Sequence, residues 1–167
     1  MSAQTRYGYS TPIGAPGGIS DIAPYAIDTF ANEENTGKLK FGLGVVYGSK
    51  PGKNIKIPAS GAKATDFAGI VTNNRTAEYD MEGKIFLRKD KAVGVMRYGR
   101  IYARVPAELT VTPGEAAYLI ASGDDAGCFT NEADGNLAIK GRFLSTADTT
   151  TLVAEVELFN QAQEDTE

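Results

Sequence analysis

The chain has no histidine. The side chain most used for acid–base work near neutral pH, and the commonest metal ligand, is therefore missing. No Ser-His-Asp or Cys-His arrangement can be assembled within one copy. There is one cysteine, Cys128, so an intramolecular disulfide is excluded. A typical structural zinc site is excluded with it. Packing or partners must hold the fold, and a reducing compartment suits it. No apolar run approaches the ~20 residues of a membrane-spanning helix. The opening "MSAQTRYGYSTPIGAPGGIS" lacks an apolar core of signal-peptide type. The expectation is a chain with no membrane partner and no secretory route. Positive charge is also scarce. Seventeen Lys and Arg face 21 Asp and Glu, for a net charge of -4, which argues against direct nucleic-acid binding.

What is present suits one folded domain. The 167 residues are 42% hydrophobic and 23% charged, enough for a real core. The first 38 residues differ from the rest. "RYGYSTPIGAPGGIS" mixes Gly8, Gly14, Gly17 and Gly18 with Pro12 and Pro16, which disfavours both helix and central strand. Tyr7, Tyr9, Ile13 and Ile19 are more apolar than a solvating tail needs. An extended arm lying on a neighbouring surface fits, as does a disordered leader with scattered aromatics. "DIAPYAIDTFANEENTG" permits a short helix, with Asp21 as cap and Pro24 in the first turn. It equally permits an extended excursion.

From residue 39 the pattern becomes strand after strand. "LKFGLGVVYG", "IKIP", "DFAGIVTNN", "AVGVMRYGRIYARVP" and "AAYLIASG" each alternate or run apolar over a strand's length, and "DGNLAIKGRFLSTADTTTLVAEVELF" holds two further strands. Pro51-Gly52 and Pro113-Gly114 mark turns, the second between Leu109-Thr110-Val111 and Ala117-Tyr118-Leu119-Ile120. "GKIFLRKDK" is a weaker strand, partly loop. Tyr98-Gly99 is read as a tight turn or a bulge. The predicted fold is all-β, a small β-barrel or β-sandwich with an extended Gly/Pro-rich N-terminal arm. Residues 1–38 form the arm, 39–160 the β-rich body and 161–167 an acidic tail.

No constellation points to catalysis or to a cofactor. Asp124 and Asp125 lie in "SGDDAG", a solvated turn rather than an acid–base pair. "GSKPGKN" resembles a phosphate loop only superficially, because Asn54 stands where Ser or Thr is required. Glu33 and Glu34 lack the ordered spacing of an EF-hand loop. Asn74-Arg75-Thr76 is read as a chance glycosylation triplet in a loop. Cys128 has no evident activating base and reads as a structural thiol. No metal and no cofactor are expected.

The stretch "GVMRYGRIYARVPAELTVTPGEAAYL" resembles the middle of bacteriophage capsid cement, or decoration, proteins. Gly99, Arg100, Ile101 and Tyr102 carry the first part of that pattern, and Gly114, Glu115, Ala116 and Tyr118 the second. Phe41, Gly42, Val45 and Val46 resemble the family's opening strand. Phe67, Gly69 and Ile70 resemble its next strand, and "GRFLSTADTTTLVAEVEL" the closing pair. The likeness spans roughly residues 39 to 159. "TAEYDMEGKIFLRKDK" departs from it, with a charged insert where a simpler Gly-Asp turn is expected.

The resemblance implies a non-enzymatic protein of the virion, made in the bacterial cytoplasm. It would bind the outer capsid surface over junctions of the major capsid protein. It would also self-associate, as a trimer by preference or as a dimer. Tyr7, Tyr9, Ile13 and Ile19 are the first candidate contacts. Arg97, Arg100, Tyr102 and Arg104 follow, with contacts inside the sheet as their alternative. Another viral structural or carbohydrate-binding β module is the second reading, and a small carboxylate hydrolase the third.

Overall fold

The computed structural model describes residues 14–73, 78–79, 81, 83 and 85–159. Tyr7, Tyr9 and Ile13 lie outside the described residues, as does the Asn74 triplet. The described chain is all-β apart from one 3-10 turn, Ala64–Asp66.

One long strand organises the rest. "AVGVMRYGRIYAR" forms a continuous strand over Ala92–Arg104, not two strands around a turn. In chain order the strands are β1 Ala26–Asn32, β2 Gly44–Tyr47, β3 Asn54–Lys56, β4 Phe67–Val71, β5 Glu78–Tyr79, β6 Ile85–Phe86, β7 Ala92–Arg104, β8 Ala116–Leu119, β9 Phe129–Thr130, β10 Leu137–Phe143 and β11 Val153–Leu158. The first half of β7 pairs with β1 on one edge and β4 on the other. The order β1-β3-β2-β4-β7, returning to β1, closes a five-stranded barrel. The second half of β7 leaves the barrel. It pairs antiparallel with β11 from Gly99↔Leu158 to Arg104↔Val153. The sheet then continues through β10 and β8 to β9.

Two cores follow from this split. Phe30, Leu39, Phe41, Val45, Ile55, Val71, Val93 and Val95 are among the side chains that fill the barrel. Ile70 and Met96, on the same strands, pack instead against Ile101, Leu119, Phe129, Phe143, Val156 and Leu158 of the second sheet. The wall between the cores is buried on both faces. This is why β4 reads "FAGIV", an apolar run with all five residues buried, rather than an alternating strand.

Gly99 marks where β7 changes partners. Its φ of 124° is one that side-chain-bearing residues rarely adopt. A β-carbon there would lie 2.6 Å from Cβ of Tyr25. The Gly99 position is therefore a close approach of two chain segments.

Three local expectations are refined. Residues 26–32 form β1 of the barrel, so the extended option for "DIAPYAIDTFANEENTG" holds over that range and the barrel begins ahead of residue 39. Leu109-Thr110-Val111 forms no strand, although Val111 is buried in the second core. The Pro113-Gly114 turn before β8 is present, and the Gly114 N–H donates to the Phe143 carbonyl at 2.8 Å. "GKIFLRKDK" contributes only the two residues of β6.

Candidate functional site

Arg100 and Tyr102, on the polar face of "RIYAR" in β7, are met by the chain's own arm. Residues 17–20 lie beside β7 on the edge that β11 does not use. Gly17 N–H donates to the Tyr102 carbonyl at 2.7 Å, Tyr102 N–H to Gly18 at 2.9 Å, and Ser20 N–H to Arg100 at 3.2 Å. Ile19 forms an antiparallel bridge with Ile101. The arm also meets the residue after Thr72 at the end of β4, where Asn73 N–H donates to the Gly17 carbonyl at 2.7 Å. A strand edge that would otherwise expose unpaired backbone is thereby closed.

Side chains lock the same seam. Tyr102 places its ring against Gly14 and Gly18. Arg100 bridges two carboxylates, Asp21 of the arm at 2.7 Å and Glu157 of β11 at 3.1 Å. Glu157 also takes Arg142 of β10 at 2.8 Å, and Arg142 in turn lies 5.6 Å from the Phe159 ring centroid. Ser20 Oγ donates to Glu155 at 2.7 Å. Burial pushes the Glu157 carboxyl up, but the hydrogen bonds and charges of Arg100 and Arg142 outweigh it and hold the group below its usual range. The Arg100 guanidinium holds its proton more tightly than usual, chiefly through its hydrogen bond to Glu157.

The other two candidate arginines sit elsewhere. Arg97 forms a surface pair with Asp28 at 3.0 Å, with both side chains well exposed; such pairs contribute little to stability. Arg104 points inward. Its Nε donates to the Phe41 carbonyl at 2.7 Å, and its backbone N–H donates to Gly42 at 2.8 Å. Burial draws its pKa below the ordinary arginine value. Ile19 remains partly exposed and lines a groove of about 420 Å³ with Ile27, Thr29, Thr72, Ala92 and Gly94.

Thus Arg100 and Tyr102 are brought together with the arm, Arg97 stands apart on the barrel, and Arg104 anchors the loop ahead of β2. Sequence reasoning missed Ser20, Asp21 and Arg142. Only the alternation of Glu155 and Glu157 in "VAEVEL" signalled the acidic side of the seam. The chemistry available is that of interlocking surfaces. Among the described residues no group of His, Cys, Asp and Glu could hold a metal ion. Burial, with a smaller contribution from Asp125, pushes the Cys128 thiol up to about 11.

The class these features define is an all-β protein in which a closed barrel carries a second sheet and an ion-paired, arm-covered seam. The model of the structural cement protein family, described by E217 gp24 and Pam3 gp6, matches residues 3–158, and the chain belongs to that family. Its fold is also that of a chain in the capsid of Myoviridae phage XM1, with a TM-score of 0.70 at 19% identity, over 97% of this chain and 100% of that one. No curated protein matches. A structural role in a phage capsid, and so a place in the virion, follows from the family.

Proposed function

We propose that the protein binds the outer surface of an icosahedral phage head and stabilises junctions between major capsid protein subunits. The observation that carries this reading is the family match across residues 3–158, and the built surface suits it. A cement needs a stiff body with broad complementary faces, and two packed cores around one shared strand supply stiffness. Several copies around a symmetry axis, three by preference, multiply weak contacts by raising effective concentration. Tyr7, Tyr9, Ile13 and Ile19 remain the proposed anchors on the capsid. Arg97 is the candidate arginine best exposed for a partner's carboxylate. Arg100, Tyr102 and Arg104 act one step back, by holding the arm and the loop at residues 41–42 in place.

Cosedimentation with empty expanded capsids tests this. Saturable binding at a fixed ratio to the major capsid protein, together with capsids that resist heat better when decorated, is the expected result. Failure of the purified chain to sediment with its own capsid overturns the reading.

A further inference from the structure

Positive and negative side chains are segregated along this chain. Residues 35–65 hold Lys38, Lys40, Lys50, Lys53, Lys56 and Lys63 and no Asp or Glu. Residues 105–139 hold Glu108, Glu115, Asp124, Asp125, Glu132 and Asp134 and no Lys or Arg. The fold places the two stretches in different sheets. The first supplies β2 and β3 of the barrel, and the second supplies β8, β9 and the start of β10.

One end of the barrel becomes a lysine rim. Lys53 and Lys91 flank the end of β1, since Ala31 N–H donates to the Lys53 carbonyl and Asn32 N–H to the Lys91 carbonyl, both at 2.9 Å. Lys50 shares the turn of Lys53, whose N–H donates to the Lys50 carbonyl at 3.0 Å. Lys89 N–H donates to Thr36 Oγ1 at 3.3 Å, which sets Lys89 beside the segment carrying Lys38. Lys38, Lys50, Lys53, Lys89 and Lys91 are all exposed, and none forms an ion pair among the described residues. Of the carboxylates around them, Glu33 accepts from the Ser49 N–H at 2.7 Å and Glu34 from the Ile57 N–H at 3.1 Å. Asp90 is the exposed one.

The acidic stretch gathers in the same way. Asn131 Nδ2 donates to the Glu115 carboxylate at 3.1 Å and to the Thr110 carbonyl at 3.2 Å. It thereby joins the loop of Glu108 and Glu115 to the turn of Glu132 and Asp134. Glu108, Glu132 and Asp134 are exposed and form no ion pair among the described residues.

We propose that copies of this chain associate head to tail, with the lysine rim of one docked on the acidic end of the second sheet of the next. The occupant is a second copy because the complementary surface is carried by the chain itself. Rim against rim and acid against acid repel, so opposite charge selects this one register. The two surfaces differ, so the contact is heterologous and closes a ring wherever the rotation between copies divides a full turn. Exposed ion pairs are individually weak and screened by salt, so the association is salt-sensitive and gains from neighbours held at high effective concentration. It rests on the proposed self-association and names the surfaces that make it.

A carbodiimide, which joins a lysine amine directly to a carboxylate, tests the contact on a mixture of unlabelled and nitrogen-15-labelled full-length chain. Light-to-heavy peptides should join Lys50, Lys53, Lys89 or Lys91 to Glu108, Glu132 or Asp134, with yield falling about tenfold between low and roughly 0.5 M salt. No interchain link, or rim lysines joined to other carboxylates instead, overturns the proposal. Charge reversal gives a second readout. Lys53→Glu/Lys89→Glu/Lys91→Glu and Glu108→Lys/Glu132→Lys/Asp134→Lys should each sediment as monomers with unchanged circular dichroism, and an equimolar mixture of the two should associate. A mixture that stays monomeric, or a reversed chain that associates as before, also overturns it. Cosedimentation with empty capsids separates the two readings. Capsid binding without rim-to-acid links sinks the head-to-tail contact alone, and links in solution without capsid binding uphold it while sinking the cement role.

Discussion

The ring of Tyr102 lies so close over Gly14 that a β-carbon at Gly14 would stand 2.6 Å from its Cδ2. A residue in the middle of the sequence thus sets which residue types the arm can use. The aromatic face that a binding strand would be expected to offer to a partner is taken up inside the molecule. The same holds for Arg100, whose carboxylate partners come from this chain.

The arm should be released by a single methyl group at Gly17. That residue has φ of 75°, and a β-carbon would sit 2.7 Å from both Asn73 N and the Val71 carbonyl. Backbone atoms cannot swing aside. Gly17→Ala should cost about 1–2 kcal/mol from the left-handed conformation, before any crowding. Limited proteolysis should cut faster between residues 14 and 25, while the far-ultraviolet circular dichroism of the body stays the same. An unchanged cleavage pattern would show that the arm tolerates the change.

Stability should hold through neutral pH and fall on acidification. Glu33, held low by the Ser49 N–H, Glu115, held low by the Thr112 N–H, and Asp148, held low by the Thr151 hydroxyl, all sit below their usual carboxylate values. Glu157 does so despite its burial. A carboxylate depressed in the fold stabilises it fully above the unfolded pKa. That contribution is lost as pH falls through the folded value. The midpoint of thermal unfolding should therefore be nearly flat from about pH 8 to 6 and drop below about pH 4.5. Glu157→Gln should lower stability at pH 7 and make the acid decline shallower. An equally steep decline in that variant would remove Glu157 from the account.

The second core should be the more sensitive to one large truncation. Phe143 is fully buried there. It also joins turn and sheet, since its carbonyl accepts from Gly114 and its N–H donates to Glu115. Phe143→Ala should cost about 3–5 kcal/mol, measured as a shift in the denaturant midpoint at constant slope. A loss below about 1 kcal/mol would mean that the site collapses around the smaller side chain.

Cys128 should be inert in the folded protein. Its thiol is raised from 9.0 to about 11, which lowers the thiolate fraction about a hundredfold at neutral pH. An aromatic disulfide reagent should label it at least that much more slowly in buffer than in denaturant. Comparable rates would place the thiol at the surface.

Much of the body was legible in the sequence because side-chain alternation and turn residues are local signals. "IYARV" declared Ile101, Ala103 and Val105 as one face, and all three are buried. Pro113-Gly114 marked its turn correctly. Local signals failed where a residue's surroundings come from far along the chain. Leu109-Thr110-Val111 has strand-forming residues but no strand to pair with. "AIDTFAN" looked half-helical by spacing, and its strand form depends on β3 and β7. The arm's partners were illegible for the same reason. Ser20 meets Glu155 across 135 positions of sequence.

The sequence alone determined the class of structure and ruled out an intrachain disulfide or a histidine-based site. Periodicity of two set the strands, and Gly and Pro set the turns. The tertiary structure alone decided that one strand serves two sheets, that five strands close into a barrel, and that the arm returns to β7. The reason is that backbone hydrogen bonds carry no residue identity. Any free edge can accept any strand, so the choice among edges is made by distant side chains such as Asp21 and Arg100, and by the space a glycine leaves beneath Tyr102 or beside Tyr25.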